Sequence, residues 1–238
     1  MQHSHTFAHF ALYAWRKRMH GKLIVLEGTD GSGKATHSKL LVDKLNSSGI
    51  LGENRAHYWT FPNYESAWGK KIKEILTGAN TAADKLDPYK MAELYAQDRG
   101  EAAAKIRELL EKGDWIVCDR YVESNMAFQA SKIKDPFEKK KFLEWLEKKE
   151  YEELEIPKTD MVLFLSVPIN VTIRRMSERK QTDIHEQDRQ FLENVRREYL
   201  NLAREKKWKV IEVMEGNLEL SIEAVKEKVW GHILGITS

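Results

Sequence analysis

The chain of 238 residues is 42% hydrophobic and 32% charged, which excludes a disordered polypeptide and lets one globular α/β domain bury a sizeable core. Its 39 Lys and Arg against 37 Asp and Glu leave a formal net charge of +2, without the basic excess of a nucleic-acid binder, so local groups must hold any anionic ligand. The single cysteine, Cys118, excludes a disulfide framework and, within the apolar run Trp115-Ile116-Val117-Cys118, reads as core packing in a reducing compartment.

Residues 1–20 precede the first recognisable element. Phe7 to Trp15 is mostly apolar, Arg16-Lys17-Arg18 follows, and no acid occurs before Glu27. A secretory signal places its basic residues first, which disfavours that reading. An Arg-rich organelle leader is an alternative, but Met19 lies just before the first strand, so a mis-set start or a tag is favoured. His3, His5 and His9 have no carboxylate or cysteine companions and read as a frayed terminus. Residues 21–238 then form one domain. No apolar run approaches the roughly 18 residues of a membrane span, so a soluble protein with no membrane partner is expected.

Short apolar runs at Leu23 to Leu26, Trp115 to Cys118, Met161 to Val167 and Lys209 to Val213 have the texture of buried parallel strands. His57 to Phe61, bounded by Pro62, adds another, for about five strands in all. Helical patterns separate them. Leu41 and Leu45 mark a helix ended by Asn46-Ser47-Ser48-Gly49; Trp68, Ile72, Ile75 and Leu76 mark a second. Asp87-Pro88 and Asp135-Pro136 each supply an N-cap and a first-turn proline. The segment from Phe137 to Leu154 carries Phe142, Trp145 and Leu146 on one face and many Lys and Glu elsewhere, which reads as a solvated amphipathic helix without chemistry. Phe191, Val195, Tyr199 and Leu202 mark another helix, and Ile222, Val225, Val229 and Ile233 the last. Alternation of this kind predicts a parallel sheet covered by helices.

The first strand runs into Glu27-Gly28-Thr29-Asp30-Gly31-Ser32-Gly33-Lys34-Ala35-Thr36, the spacing and the strand-to-helix context of a phosphate-binding P-loop. Glycines let the backbone N–H groups converge on phosphate oxygens, the helix N-terminus adds positive potential, and Lys34 supplies a mobile cation. Residues 28–36 are therefore the expected ATP-binding loop. Ala35 stands where a Ser or Thr hydroxyl normally reaches Mg2+. Thr36 faces another direction on the helix, so water plus a carboxylate, Asp119 or Asp30, is the expected ligand set.

In open parallel sheets ligands sit beyond the carboxyl ends of the strands, and the strand ending at Cys118 runs directly into Asp119-Arg120-Tyr121. That triplet, with Val122-Glu123-Ser124-Asn125-Met126-Ala127-Phe128-Gln129 and the Glu-Gly-x-Asp-Gly-x-Gly-Lys loop, resembles thymidylate kinase. Phe61-Pro62-Asn63-Tyr64 and Tyr95-Ala96-Gln97-Asp98-Arg99 are similar to further segments of that family. The resemblance spans most of residues 21–213. It implies a P-loop NTPase three-layer sandwich with a helical lid, ATP as phosphoryl donor, Mg2+ as cofactor, dTMP as acceptor and a cytoplasmic homodimer packed through helices that include the one from Pro88. On that resemblance Tyr95 stacks on the base while Arg99, one helical turn on, reaches its oxygen edge. Asn125 reads a pyrimidine edge, Phe128 crowds the sugar 2′ position, and Gln129 is a further contact. Asp30 approaches the sugar 3′-hydroxyl, Arg120 grips the acceptor phosphate with Tyr64 and Phe61 nearby, and Asp119 holds the metal.

A lid is expected around residues 174–190, where a helix from Val171 to Lys180 leads into a polar run ending at Arg189. Family members differ in whether the catalytic arginine comes from the P-loop or the lid. Gly31-Ser32 supplies none here, so Arg179 is the candidate, with Arg174, Arg175 and Arg189 in reserve and Glu186 as an acidic lid contact to the acceptor. Two other readings stand beside this one: a kinase for another deoxynucleotide or a deoxynucleoside, which for a hydroxyl acceptor needs a positioned base, and a non-catalytic nucleotide-binding protein, suggested by Ala35.

Overall fold

The computed structural model describes residues 21–77, 87–178 and 189–237. Five parallel strands form its sheet: β1 (Leu23–Glu27), β2 (Ala56–Thr60), β3 (Trp115–Asp119), β4 (Met161–Ser166) and β5 (Lys209–Glu212), in the order β2-β3-β1-β4-β5. β1 pairs in parallel with both β3 and β4, Leu26 lying opposite Asp119 on one side and Leu163 on the other. Every residue of β1, β3 and β4 is buried, which is why these runs are apolar without alternation.

Helices cover both faces. On one, β1 and β3 side chains such as Val25, Ile116 and Cys118 pack against α3 (Pro88–Glu111), α4 (Val122–Ala130), α5 (Pro136–Glu147) and α7 (Arg189–Glu205). On the other, Ile24, Val117, Leu163 and Ile211 pack against α1 (Lys34–Ser47), α6 (Ile169–Ser177) and α8 (Ile222–Thr237). The expected start signals operate: Asp87 and Asp135 each cap a helix by accepting two backbone N–H groups, with proline at the first turn. A shorter helix, α2 (Ala67–Thr77), lies on α3 through Ile72, Leu76, Leu94 and Tyr95.

Three expectations need correction. The amphipathic segment after Pro136 is two structures, α5 and then a π-helical turn at Lys148–Glu153 that buries Glu150 completely. It is not wholly solvated. The helix expected from Val171 starts at Ile169, where Pro168 leaves α6 free to begin, and its described part ends at Ser177. A two-stranded hairpin, β6 (Met214–Glu215) and β7 (Leu218–Glu219), follows β5. Strands of two residues leave no periodic trace in a sequence.

Candidate active site

The carboxyl ends of β1, β2 and β3 open onto two adjoining pockets. One, lined by Gly31, Gly33, Lys34, Ala35, Thr36 and Asp119, surrounds the P-loop. The other, about 590 Å³, is lined by Tyr95, Arg99, Tyr121, Ser124, Asn125, Phe128 and Gln129. Asp30, Phe61, Pro62, Tyr64 and Arg120 line both.

The P-loop has the conformation its glycines permit. Gly31 has φ 76°, and a Cβ there would stand 2.8 Å from the Thr172 carbonyl oxygen; Gly33 has φ 94° at the N-cap of α1. Lys34 Nζ donates to Thr29 O at 2.9 Å and Ser32 Oγ at 3.5 Å, so the loop holds its cation close until phosphate replaces these acceptors. Burial, and secondarily the Arg120 charge, lowers the Lys34 pKa from 10.5 to about 8.

Arg120 occupies the left-handed region with φ 68°, a strain of roughly 1–2 kcal/mol for a non-glycine residue. Its surroundings hold it there. The backbone N–H donates to Leu26 O at 3.2 Å, and the guanidinium bonds Ser124 Oγ at 3.0 Å and Gly28 O at 3.3 Å and pairs with Asp30. It lies 5.0 Å from the Phe128 ring centroid, within cation–π range. The Asp30–Arg120 pair thus bridges the P-loop and the β3 terminus.

Beneath them Glu27 is fully buried and accepts from Tyr121 N–H and Ser124 N–H at 3.0 Å each, Ser124 Oγ at 2.6 Å and Tyr199 Oη at 2.7 Å. Burial raises its carboxyl pKa, opposed by Arg120 and these donors. A carboxylate at the N-terminus of α4 also complements the helix dipole. Glu27 therefore ties the P-loop strand to the helix that carries Asn125, Phe128 and Gln129.

The acceptor-side pocket also rests on buried polar contacts. Asp98, nearly fully buried, accepts from Asn63 N–H at 2.8 Å and Ser66 Oγ at 2.5 Å, fixing the Phe61–Tyr64 segment against α3. Its pKa is raised, chiefly by burial. Arg99 is buried and paired with Glu150, Nε donating to Oε2 at 2.9 Å. The surface ion pair that an arginine usually suggests is not what forms. Asn125 Oδ1 and Gln129 Oε1 are buried with no hydrogen-bond partner, an arrangement expected of groups that await a ligand.

Asp119 also carries an orphan, a buried Oδ1 without a partner, in the P-loop pocket. Among the described residues no group of three His, Cys, Asp or Glu could hold a metal ion by itself. One carboxylate beside a phosphate site fits Mg2+, which takes one or two protein oxygens and keeps several waters, better than a metal needing a protein cage. Ala35 offers no side-chain oxygen, and Thr36 is exposed at the pocket edge.

Of the residues expected at the P-loop and the acceptor site, all those within the described residues line one pocket or the other except Gly28, Thr29 and Ser32, whose atoms shape the loop behind it; the reserve arginines Arg174, Arg175 and Arg189 line neither. Arg179 and Glu186 lie outside the described residues. Arg174 and Arg175 converge on Glu219 of β7, and Arg175 Nη1 also donates to Gly31 O at 3.0 Å. Arg189 pairs with Glu193 along its own exposed helix face. Glu27, Asp98, Ser124, Glu150 and Tyr199 belong to the site and were not expected there. Glu27, an acid closing a run of buried aliphatics, left a sequence signal, and Asp98 and Ser124 stand within the segments similar to the family; Glu150 and Tyr199 left none.

A family model described as Thymidylate kinase matches residues 26–229. The chain belongs to the thymidylate kinase family. It is 34% identical over 213 residues to a probable thymidylate kinase of Methanocaldococcus jannaschii, covering 90% of this chain and 96% of that one. It is 33% identical over 214 residues to a Prochlorococcus marinus thymidylate kinase, covering 89% and 97%. A solved Candida albicans thymidylate kinase superposes with a TM-score of 0.69 at 25% identity, over 91% of this chain and 92% of that one. The fold is thus that of a P-loop NTPase, and thymidylate kinase membership makes the chain an ATP-dependent phosphotransferase. Among the described residues, no helix is long and apolar enough to cross a membrane.

Proposed function

We propose that this thymidylate kinase family member transfers the γ-phosphoryl group of ATP to dTMP, giving dTDP for dTTP synthesis, and that the two pockets are its donor and acceptor sites. The observation that carries the reading is the shared wall: Asp30, Tyr64 and Arg120 line both pockets, so two phosphate groups held on either side meet across it. In-line transfer between bound phosphates needs that juxtaposition and charge neutralisation more than any covalent participation.

The residue roles follow. The P-loop from Gly28 to Thr36 cradles the ATP phosphates, and Lys34 follows the β and γ oxygens. Arg120 holds the acceptor phosphate, with Tyr64 at its edge, and Asp30 orients both Arg120 and the sugar. Tyr95 and Phe128 flank the nucleoside, Phe61 closes the wall, and Arg99, Asn125 and Gln129 present hydrogen-bonding groups to the base. An acceptor phosphate is anionic near neutral pH, so no general base is required, which favours a monophosphate over a nucleoside acceptor. Asp119, whose Oδ1 lacks a partner, would hold Mg2+, directly or through water. Bound Mg2+ supplies neutralisation of the β and γ phosphate charge. The lid spans 174–190, with Arg179 as its cation and Glu186 as its acceptor contact, and residues 1–20 are an extension outside the catalytic domain of 21–238. A cytoplasmic homodimer without a nucleic-acid partner completes the reading, supported by the family resemblance and the near-neutral charge.

The test is ADP release from ATP and Mg2+ across dTMP, dUMP, CMP, AMP, GMP and thymidine, with products identified by mass. Preference for dTMP is the expected result. A flat panel removes the acceptor assignment, and nucleotide binding without transfer to any acceptor favours the non-catalytic reading raised by Ala35.

A further inference from the structure

Glu150 is the only buried residue of the π-helical turn that presents it. Its Oε2 accepts from Arg99 Nε at 2.9 Å, while its Oε1 accepts both from Arg99 Nη2 and from Asn125 Nδ2, the latter at 3.1 Å. The second Asn125 Nδ2 hydrogen goes to the Ala92 carbonyl at 2.9 Å. Both amide hydrogens are therefore engaged by protein acceptors, and Oδ1 is left buried and unpartnered. The opposite amide orientation would set Oδ1 against two acceptors, Ala92 O and Glu150 Oε1. The network itself assigns the amide.

Arg99 places two of its five N–H groups on Glu150, which leaves donors on Nη1 and Nη2. Both side chains line the acceptor pocket, and both hang on one carboxylate oxygen. Asn125 Oδ1 and the remaining Arg99 N–H groups are thus an unspent acceptor and unspent donors on two lining side chains whose relation is fixed. That pattern complements a base with a ring N–H beside a carbonyl, as in thymine and uracil. Cytosine, with an unprotonated ring nitrogen beside an amino group, would meet acceptor against acceptor and donor against donor.

We propose that Glu150 is the positioning residue for base selection, locking the polarity of the Asn125 amide and the azimuth of Arg99 so that cytosine nucleotides are refused. The inference rests on the thymidylate reading of the pocket. Glu150 touches no substrate atom in this account and acts only through Arg99 and Asn125. In Glu150→Gln an amide donor can replace the Oε1 acceptor, which leaves Ala92 O as the one acceptor opposing a turned amide; Asn125 then turns over more readily, and its Nδ2 suits an unprotonated ring nitrogen.

The experiment compares kcat/KM for dTMP, dUMP and dCMP in the full-length protein and its variants. A site with fixed polarity should favour dTMP over dCMP by about 10²-fold or more. Glu150→Gln should lower that ratio at least about tenfold, through KM for the acceptor, with KM for ATP unmoved. The dTMP:dUMP ratio should hold, because the two bases share the N–H and carbonyl edge. Glu150→Asp retains the charge opposite Arg99 but withdraws the carboxylate by about one C–C bond, roughly 1.5 Å, so it decides the matter if the glutamine variant fails to fold. A role limited to neutralising Arg99 predicts wild-type discrimination in Glu150→Asp, and that result would overturn the proposal. Collapse of the dUMP and dCMP ratios together would also overturn it, by assigning Glu150 to pocket shape alone. A wild-type enzyme with no preference for dTMP over dCMP would instead remove the thymidylate reading before any variant is measured.

Discussion

The arginine of the acceptor pocket and the arginines of α6 are held in opposite ways. On the acceptor side, Arg99 and Glu150 are 2% and 0% exposed, and the pair is extended by Asn125 and supported by the neighbouring Asp98 contacts. On α6, outside the lining of either pocket, Arg174 and Arg175 are 59% and 25% exposed and share Glu219, 32% exposed, on a short hairpin. The acceptor pocket is pre-formed because desolvated charges tolerate little departure from their partners. Arg174 and Arg175 are screened by water and can exchange their shared carboxylate for phosphate at small cost. A site that must discriminate one base from another gains from the first arrangement, and one that must release ADP each turnover gains from the second.

That contrast can be broken most directly at its buried end. Arg99→Ala leaves the Glu150 carboxylate buried without its countercharge, only Asn125 still donating to it, and a loss of about 3–5 kcal/mol of stability is expected, read by urea denaturation, together with a raised KM for dTMP. Arg174→Ala should cost no more than about 1 kcal/mol; comparable losses in both variants would abolish the distinction. Lys34→Met tests the donor side itself. With the fold intact, kcat should fall about 10²–10³-fold, the effect typical of removing one preorganised electrostatic group. Unchanged turnover would remove Lys34 from the chemistry.

The pH dependence sharpens the same comparison. Lys34, with its pKa lowered to about 8 by burial first and Arg120 second, is protonated below that pH and loses its charge above it. KM for ATP should be flat to about pH 7.5 and rise towards pH 9.5, while kcat changes less because bound phosphate retains the proton. Between about 8 and 10.5 the unfolded chain binds more protons at Lys34 than the native one, so its destabilising contribution is fully present below pH 8 and relieved as the pH rises. The Tm advantage of Lys34→Met over wild type should therefore shrink between pH 7 and pH 9.5, and a constant difference would contradict the assignment. The smallest effect is expected for Glu219→Gln: a change of no more than a few-fold in KM for ATP at low ionic strength, fading with added salt, with KM for dTMP unmoved. Steady-state kinetics at two salt concentrations checks it.

The glycine-rich loop and Asp119-Arg120 could be read in advance because their positions follow from one rule, ligand groups at strand termini, and the strands advertise themselves as aliphatic runs. The capped starts at Asp87 and Asp135 were legible for a similar reason: an N-cap and its proline are local chemistry. Glu150 was not legible, since within Lys148-Lys149-Glu150-Tyr151-Glu152-Glu153 it looks like any solvated acid. Tyr199 was assigned to the core by its spacing, and it is buried there, but its hydroxyl reaches Glu27 at 2.7 Å across a separation that no local pattern encodes.

From the sequence alone came the parallel sheet, the P-loop and the identity of most residues that line the two pockets. The first two depend on hydrophobic periodicity and on a motif a few residues long, which short-range sterics and hydrogen bonding decide, whereas the acceptor-pocket residues came from the resemblance to thymidylate kinase. Only the tertiary structure decided which charges are buried together, which way the Asn125 amide faces, and that Arg99 serves Glu150 before it can serve a ligand. Those outcomes arise from contacts between segments as far apart as Glu27 and Tyr199, where the cost of leaving a buried polar group unpaired selects one arrangement.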